Sequence, residues 1–267
     1  ANTTGQYNTG IGAQALASNT TASSNTAVGY QAANSATESA RNTVVGHQAG
    51  YSLSGSGNKN NVAMGYKSMY ATTTGDNNSA YGAYSLDANT TGANNTAVGY
   101  ASLGANTTGT RNTASGYFSL NTITTATDCT AMGYVALRNN TGGDNNAFGS
   151  YALTANTSGT GNTAMGHVAL DANTTASFNT ALGALSLTDN TTGTYNTAVG
   201  YGSLANNTTA SSNTALGFQS MYTSTTGANN VALGRNSMYY NTTGGNNVSI
   251  GQSALNNNNT ASGNTAL

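Results

Sequence analysis

The sequence has no proline, no tryptophan, one cysteine, and only 6 Lys and Arg and 7 Asp and Glu among 267 residues. A single cysteine excludes an intrachain disulfide. Cys129 stands where every other copy of the repeat described below has asparagine, which reads as a tolerated substitution rather than a reactive thiol. The net charge of −1 has no basic cluster behind it, so neither a nucleic-acid backbone nor an anionic membrane surface has an evident site. No apolar run reaches membrane-spanning length, and no signal peptide is visible. These readings leave no nucleic-acid partner and no membrane insertion.

What is present is glycine in rhythm. Gly12, Gly29, Gly46, Gly65, Gly82, Gly99, Gly116, Gly133, Gly149, Gly166, Gly183, Gly200, Gly217, Gly234 and Gly251 recur every 17 residues, with one step of 19 and one of 16. With the glycine as position zero, the unit reads N-T-A-(apolar)-G-Y-x-(S/A)-L-x-x-N-T-T-G-x-x, nearly whole in Asn95 to Asn112. A period of 17 is too short for a helical hairpin repeat, and recurrent Gly, Asn and Thr are weak helix formers. One turn of a narrow parallel β-solenoid fits: short strands, tight Asn/Thr/Gly turns and about 4.8 Å of rise per coil. About sixteen such coils make an all-β rod on the order of 75 Å long, read as one repeat domain over 1–267. Disorder is excluded because a disordered tract has no reason to hold Val, Leu or Met at one phase.

Stacked copies place each side chain over its equivalent. Position −4 is asparagine in all copies but Cys129, so Asn25, Asn42, Asn95, Asn112, Asn162, Asn179, Asn196 and Asn213 form an expected inward structural ladder that passes hydrogen bonds along the axis. Residues −2 and −1 are adjacent in a strand and face opposite ways. The expectation is that the apolar −1 residues (Val28, Val98, Val199) and the +4 leucines fill the interior. The small alanines at −2 (Ala97, Ala114, Ala131) then face outward, where a second sheet or a neighbouring copy can approach.

Catalytic chemistry finds little footing. His47 and His167 both occupy position +1, the aromatic column of Tyr30, Tyr66, Tyr100, Tyr117, Tyr134 and Tyr201, and lie seven coils apart, roughly 34 Å at the β spacing. The acidic residues form no pair by phase, and neither a calcium-binding glycine repeat nor a phosphate loop is present. No metal, cofactor or catalytic residue is expected. The tyrosine column is a candidate contact surface, suited to carbohydrate or to another fibre. Sequons at +7, namely Asn19, Asn89, Asn106, Asn156, Asn173, Asn190, Asn207 and Asn241, sit at an expected turn and are candidate glycosylation acceptors. Paired threonines such as Thr90-Thr91 raise an ice-binding reading, weakened because adjacent residues point to opposite sides.

The unit NTAVGY at Asn25 to Tyr30 and Asn95 to Tyr100, followed by S/A-L and NTTG, resembles the head repeat of trimeric autotransporter adhesins. It is closer to the repeats of bacterial surface proteins and phage tail-fibre-like proteins that often carry a chaperone endosialidase domain. The adhesin head repeat is shorter than the 17 residues of this chain's unit. The resemblance implies a non-catalytic extracellular fibre or adhesin-like shaft at a cell surface or virion, with copies associating laterally, as trimers or end to end. A glycan-binding tail-fibre module is the rival. Both ends cut the repeat, giving the expectation of a segment of a longer fibre.

Overall fold

A computed structural model describes residues 2–267, with no helix among them. The chain divides into two compact units, one up to Ala131 and one from Met132. Each is a parallel β-solenoid, as the period predicts. Strands of three residues pair in parallel with their equivalents one coil on: Thr96, Ala97 and Val98 with Thr113, Ala114 and Ser115 in the first unit, and Thr180, Ala181 and Leu182 with Thr197, Ala198 and Val199 in the second. The register is that of the repeat, so columns in the sequence become columns in space. The 19-residue coil carries an extra short pair, Ser39–Ala40 against Gly57–Asn58.

The strand ends at the glycine for a steric reason. Gly99 has φ +124°, and a Cβ there would lie 2.6 Å from the carbonyl oxygen of Gly116 in the next coil. Only glycine allows the coils to approach at this column. The following turn alternates hand: Ala101 and Leu103 have φ of 51° and 52°. The Ala101 N–H therefore donates back to Ala83 at 2.9 Å, while the Leu103 N–H donates forward to Ser119 at 3.1 Å. Left-handed backbone costs a non-glycine residue about 1–2 kcal/mol. Bonds to coils on both sides, together with burial of the leucine, offset that cost.

The interior is narrow and mixed. The +4 column (Leu86, Leu103, Leu120, Leu153, Leu170, Leu187) is fully buried and fills the centre. Position +3 is a buried Ala or Ser, and the serine hydroxyls donate to nearby carbonyls: Ser102 Oγ to Gly99 at 3.1 Å, Ser186 Oγ to Gly183 at 2.7 Å.

The strand faces are the reverse of those expected. Ala97, Ala114, Ala131 and Ala198 are wholly buried, whereas Val98 is 41 % exposed and Val28 and Val199 are half-buried. A 17-residue coil encloses little space. Once the +4 leucine and the asparagine amides occupy it, the strand has room inside only for a methyl group, and the larger −1 side chain turns outward. The alanine face is therefore not available to a neighbouring copy.

Candidate functional site

Two asparagine columns account for most of the polar interior. Asn25, Asn42, Asn95, Asn112, Asn162, Asn179, Asn196 and Asn213 are all buried. In this −4 column the side-chain oxygen accepts the backbone N–H of the next asparagine: Asn42 to Asn25 at 2.9 Å, Asn112 to Asn95 at 3.0 Å, Asn196 to Asn179 at 2.9 Å. The amide nitrogen reaches across the coil to a carbonyl, as from Asn95 Nδ2 to Gly109 at 2.9 Å. Each amide thus ties strand to turn and coil to coil, through backbone groups more than through neighbouring amides.

The +7 asparagines form a second inner column, which corrects the reading of them as accessible acceptors. Asn19, Asn89, Asn106, Asn156, Asn173, Asn190, Asn207 and Asn241 are all buried. Asn106 Nδ2 donates to Asn89 Oδ1 at 2.9 Å and Asn173 Nδ2 to Asn156 Oδ1 at 2.7 Å, each nitrogen also closing its own turn onto a carbonyl three residues on. An amide enclosed in this way offers no nitrogen to a glycosyltransferase on the folded chain. The buried Oδ1 atoms of Asn19, Asn106 and Asn207 lack a partner. In each case the next rung is not asparagine but Ala36, Ile123 or Ser224. The column stops there: the Ala36 and Ile123 side chains have no donor, and the Ser224 hydroxyl makes no bond.

Anything the chain presents is therefore on the outside. Tyr30, Tyr66, Tyr100, Tyr117, Tyr134 and Tyr201 are 42–48 % exposed. In the first unit the rings run in sequence. His47 lies between Tyr30 at 5.0 Å and Tyr66 at 5.3 Å; Tyr84 follows Tyr66 at 5.3 Å; Tyr100 and Tyr117 stack at 5.5 Å. In the second unit Tyr134 meets Tyr151 at 5.4 Å, His167 lies 6.4 Å from Tyr151, and Tyr201 stacks on Phe218 at 5.6 Å. Both histidines are thus members of an aromatic column.

Beside this column runs the outward strand face, whose −1 residues include Met64, Val98, Met132, Met165, Leu216 and Ile250, each more than 40 % exposed. Sequence reasoning missed three further aromatic sets. Tyr84 and Phe118 stand at +2, Tyr51–Tyr70 and Tyr222–Tyr239 at +5, and Phe178–Tyr195 at −5. The signal was available as aromatics recurring 17, 19 or 34 residues apart.

Charge is sparse on this surface. Arg111 pairs with Asp128 at 2.6 Å, and that hydrogen-bonded guanidinium, helped by Thr127, holds the Asp128 carboxyl down at about 2. Burial pushes the half-buried carboxyls of Asp87 and Asp171 up, opposed at Asp171 by the Thr154 hydroxyl and by His167. Among the described residues no group of three or more His, Cys, Asp or Glu could hold a metal ion, and no helix is long and apolar enough to cross a membrane. Compared with known proteins, the chain matches no family model and no curated protein.

Proposed function

We propose that the chain is a non-catalytic structural segment of an extracellular fibre, an adhesin-like shaft whose copies associate side by side through the outward strand face. The observation that supports this most is the allocation of residue types. The interior is filled by alanine, leucine and asparagine columns, while Met64, Val98, Met132, Met165, Leu216 and Ile250 stand more than 40 % exposed on the outward strand face, beside the tyrosine column. Soluble monomers rarely leave a continuous apolar stripe uncovered. A second copy is the fitting occupant, because it presents the same apolar groups at the same coil spacing and the sparse charge gives little repulsion.

The test is light scattering on the intact chain and on the triple variant Val98→Glu, Met165→Glu, Leu216→Glu. The −1 column tolerates a polar residue at Ser115, so the coils should persist. The unaltered chain is expected to associate as concentration rises and the variant to remain monomeric. A monomeric unaltered chain at high concentration would overturn the proposal. A second reading, contact with surface carbohydrate, is favoured by the phenol-tipped rings, which combine an apolar face with a hydroxyl.

A further inference from the structure

The first unit contains one coil trimmed of its outward side chains. At +2 and +5 the coil of Gly82 carries Tyr84 and Asp87, and the coil of Gly116 carries Phe118 and Asn121; between them the coil of Gly99 has Ala101 and Gly104. The missing side chains leave a hollow of about 390 Å³ floored by Ala101 and Gly104. Tyr84 and Phe118 stand on either side of it. Tyr100 closes a third wall, with its ring 5.8 Å from Tyr84 at 75° and 5.6 Å from Phe118 at 71°. Asp87 lines the same hollow, half-buried, with the Lys67 ammonium already acting on its carboxylate, and Asn121 lines it too, its Nδ2 donating to the Ala101 carbonyl at 2.8 Å.

We infer that this hollow is a binding site for a quaternary ammonium group, held by the faces of Tyr84, Tyr100 and Phe118 and neutralised by Asp87. The spacing decides the size of ligand. The backbones of residues two coils apart are separated by about 9.6 Å, which leaves room over Ala101 for one compact group between the Tyr84 and Phe118 side chains, on the scale of the roughly 6 Å over which a ring face attracts a cation. Rings near right angles form a box, which suits a compact, weakly hydrated cation. The carboxylate supplies what a neutral ligand would not need: a partly desolvated negative charge gains from a cation and loses from an uncharged occupant. The same surface seats an ammonium among tyrosines two coils earlier, where Lys67 Nζ lies 5.6 Å from the Tyr66 ring centre and 5.2 Å from that of Tyr70. A second hollow, over Ala205 in the second unit, is bordered by Leu185 and Tyr222 and has no such box of rings.

This site goes beyond the shaft reading and does not rest on it, because it lies within one unit and needs no second copy. The experiment is titration calorimetry of the whole chain with choline, with its neutral isostere 3,3-dimethylbutan-1-ol, and with a methyl glycoside, at a concentration where scattering shows one species. Choline is expected to bind saturably at one site, and the neutral isostere about tenfold or more weaker. Phe118→Ala should weaken choline about 2- to 30-fold. Asp87→Asn should weaken choline while leaving the isostere unchanged.

Ala101→Gln should abolish binding by filling the box. The left-handed backbone there accepts glutamine, since Gln31 and Gln48 occupy the same position at φ 55°. An unchanged melting curve shows that the variant keeps the fold. Absence of saturable choline binding, equal binding of the isostere, undiminished binding by Ala101→Gln, or preference for the glycoside would each overturn the inference.

Discussion

Replacing Asn196 with leucine tests whether the inner asparagine column stabilises the coils or merely fits them. Asn196 is fully buried, and its backbone carbonyl, which accepts the Thr180 N–H at 2.8 Å, is untouched by the change. Its own N–H donates to Asn179 Oδ1 at 2.9 Å and survives the change. Its Nδ2 donates to the Ala210 carbonyl at 2.8 Å and its Oδ1 accepts the Asn213 N–H at 3.0 Å. Leucine removes both and leaves two enclosed backbone groups without partners. At about 1–3 kcal/mol each the cost is about 2–6 kcal/mol. Leucine recovers at most about 1.5–3 kcal/mol from apolar burial, since its neighbours in the column are amides. Taken at matching ends of the two ranges, the unsatisfied groups win by about 0.5–3 kcal/mol.

A stack of repeats need not unfold in one step. The assay therefore has two readings: the urea midpoint by far-ultraviolet circular dichroism, and hydrogen exchange at the Asn213 amide. The midpoint should fall, and the Asn213 amide should lose protection before amides several coils away. If the midpoint holds and Asn213 stays protected, the reasoning fails.

Two further substitutions probe the coil-to-coil approach and the surface charge. Gly99→Ala should destabilise the first unit by about 2–6 kcal/mol, combining strain at φ +124° with a Cβ 2.6 Å from the Gly116 carbonyl oxygen; a melting temperature equal to that of the unaltered chain would refute it. Asp128 has its folded pKa lowered from 3.8 to about 2 by Arg111, so its contribution to stability is present above the unfolded value and lost as pH falls through about 2. Asp128→Asn should flatten that acid limb of the melting-temperature profile. Added salt should weaken the limb in the unaltered chain, because both side chains are solvent-exposed. An acid limb of the same depth in the variant would show that the pair does not matter.

The period alone carried the parallel solenoid and its register, because a 17-residue step of Gly, Asn and Thr leaves few other ways to stack. It could not carry the inside and outside of a three-residue strand. Residues −2 and −1 are both restricted, and alternation says only that they differ. Variation in size was the better guide. Position −1 ranges from Ser115 to Tyr81 and Phe148, which a narrow interior could not accommodate, while −2 hardly departs from alanine. The +7 sequons were misread for a related reason, since a buried asparagine column and an exposed asparagine turn look alike as text. Leu53 and Ile123 in that column were the clue: an apolar residue replaces an amide most readily where neither meets water. The hollow over Ala101 was harder to see, because it is defined by what one coil lacks relative to its two neighbours.

That last point bears on how such a chain can acquire function. Its interior columns are coupled from coil to coil, so a change at −4 or +7 disturbs the next rung, as the unpartnered oxygens of Asn19, Asn106 and Asn207 show. The outward positions +1, +2, +5 and −1 meet the next coil only through ring contacts or single side-chain bonds, such as Gln48 Nε2 to Gln31 Oε1 at 2.8 Å, and vary more freely. They accept Tyr, His, Phe, Gln, Lys, Ala or Gly on one backbone path, even at the left-handed +2 position. A site can therefore be made by deleting side chains from one coil and retaining them on its neighbours. Its width is set in multiples of the coil spacing, about 4.8 Å for none removed and about 9.6 Å for one. The second width matches a single compact group held between two rings. Outward diversity on a fixed inner lattice thus allows a solenoid to carry discrete sites without any change in fold.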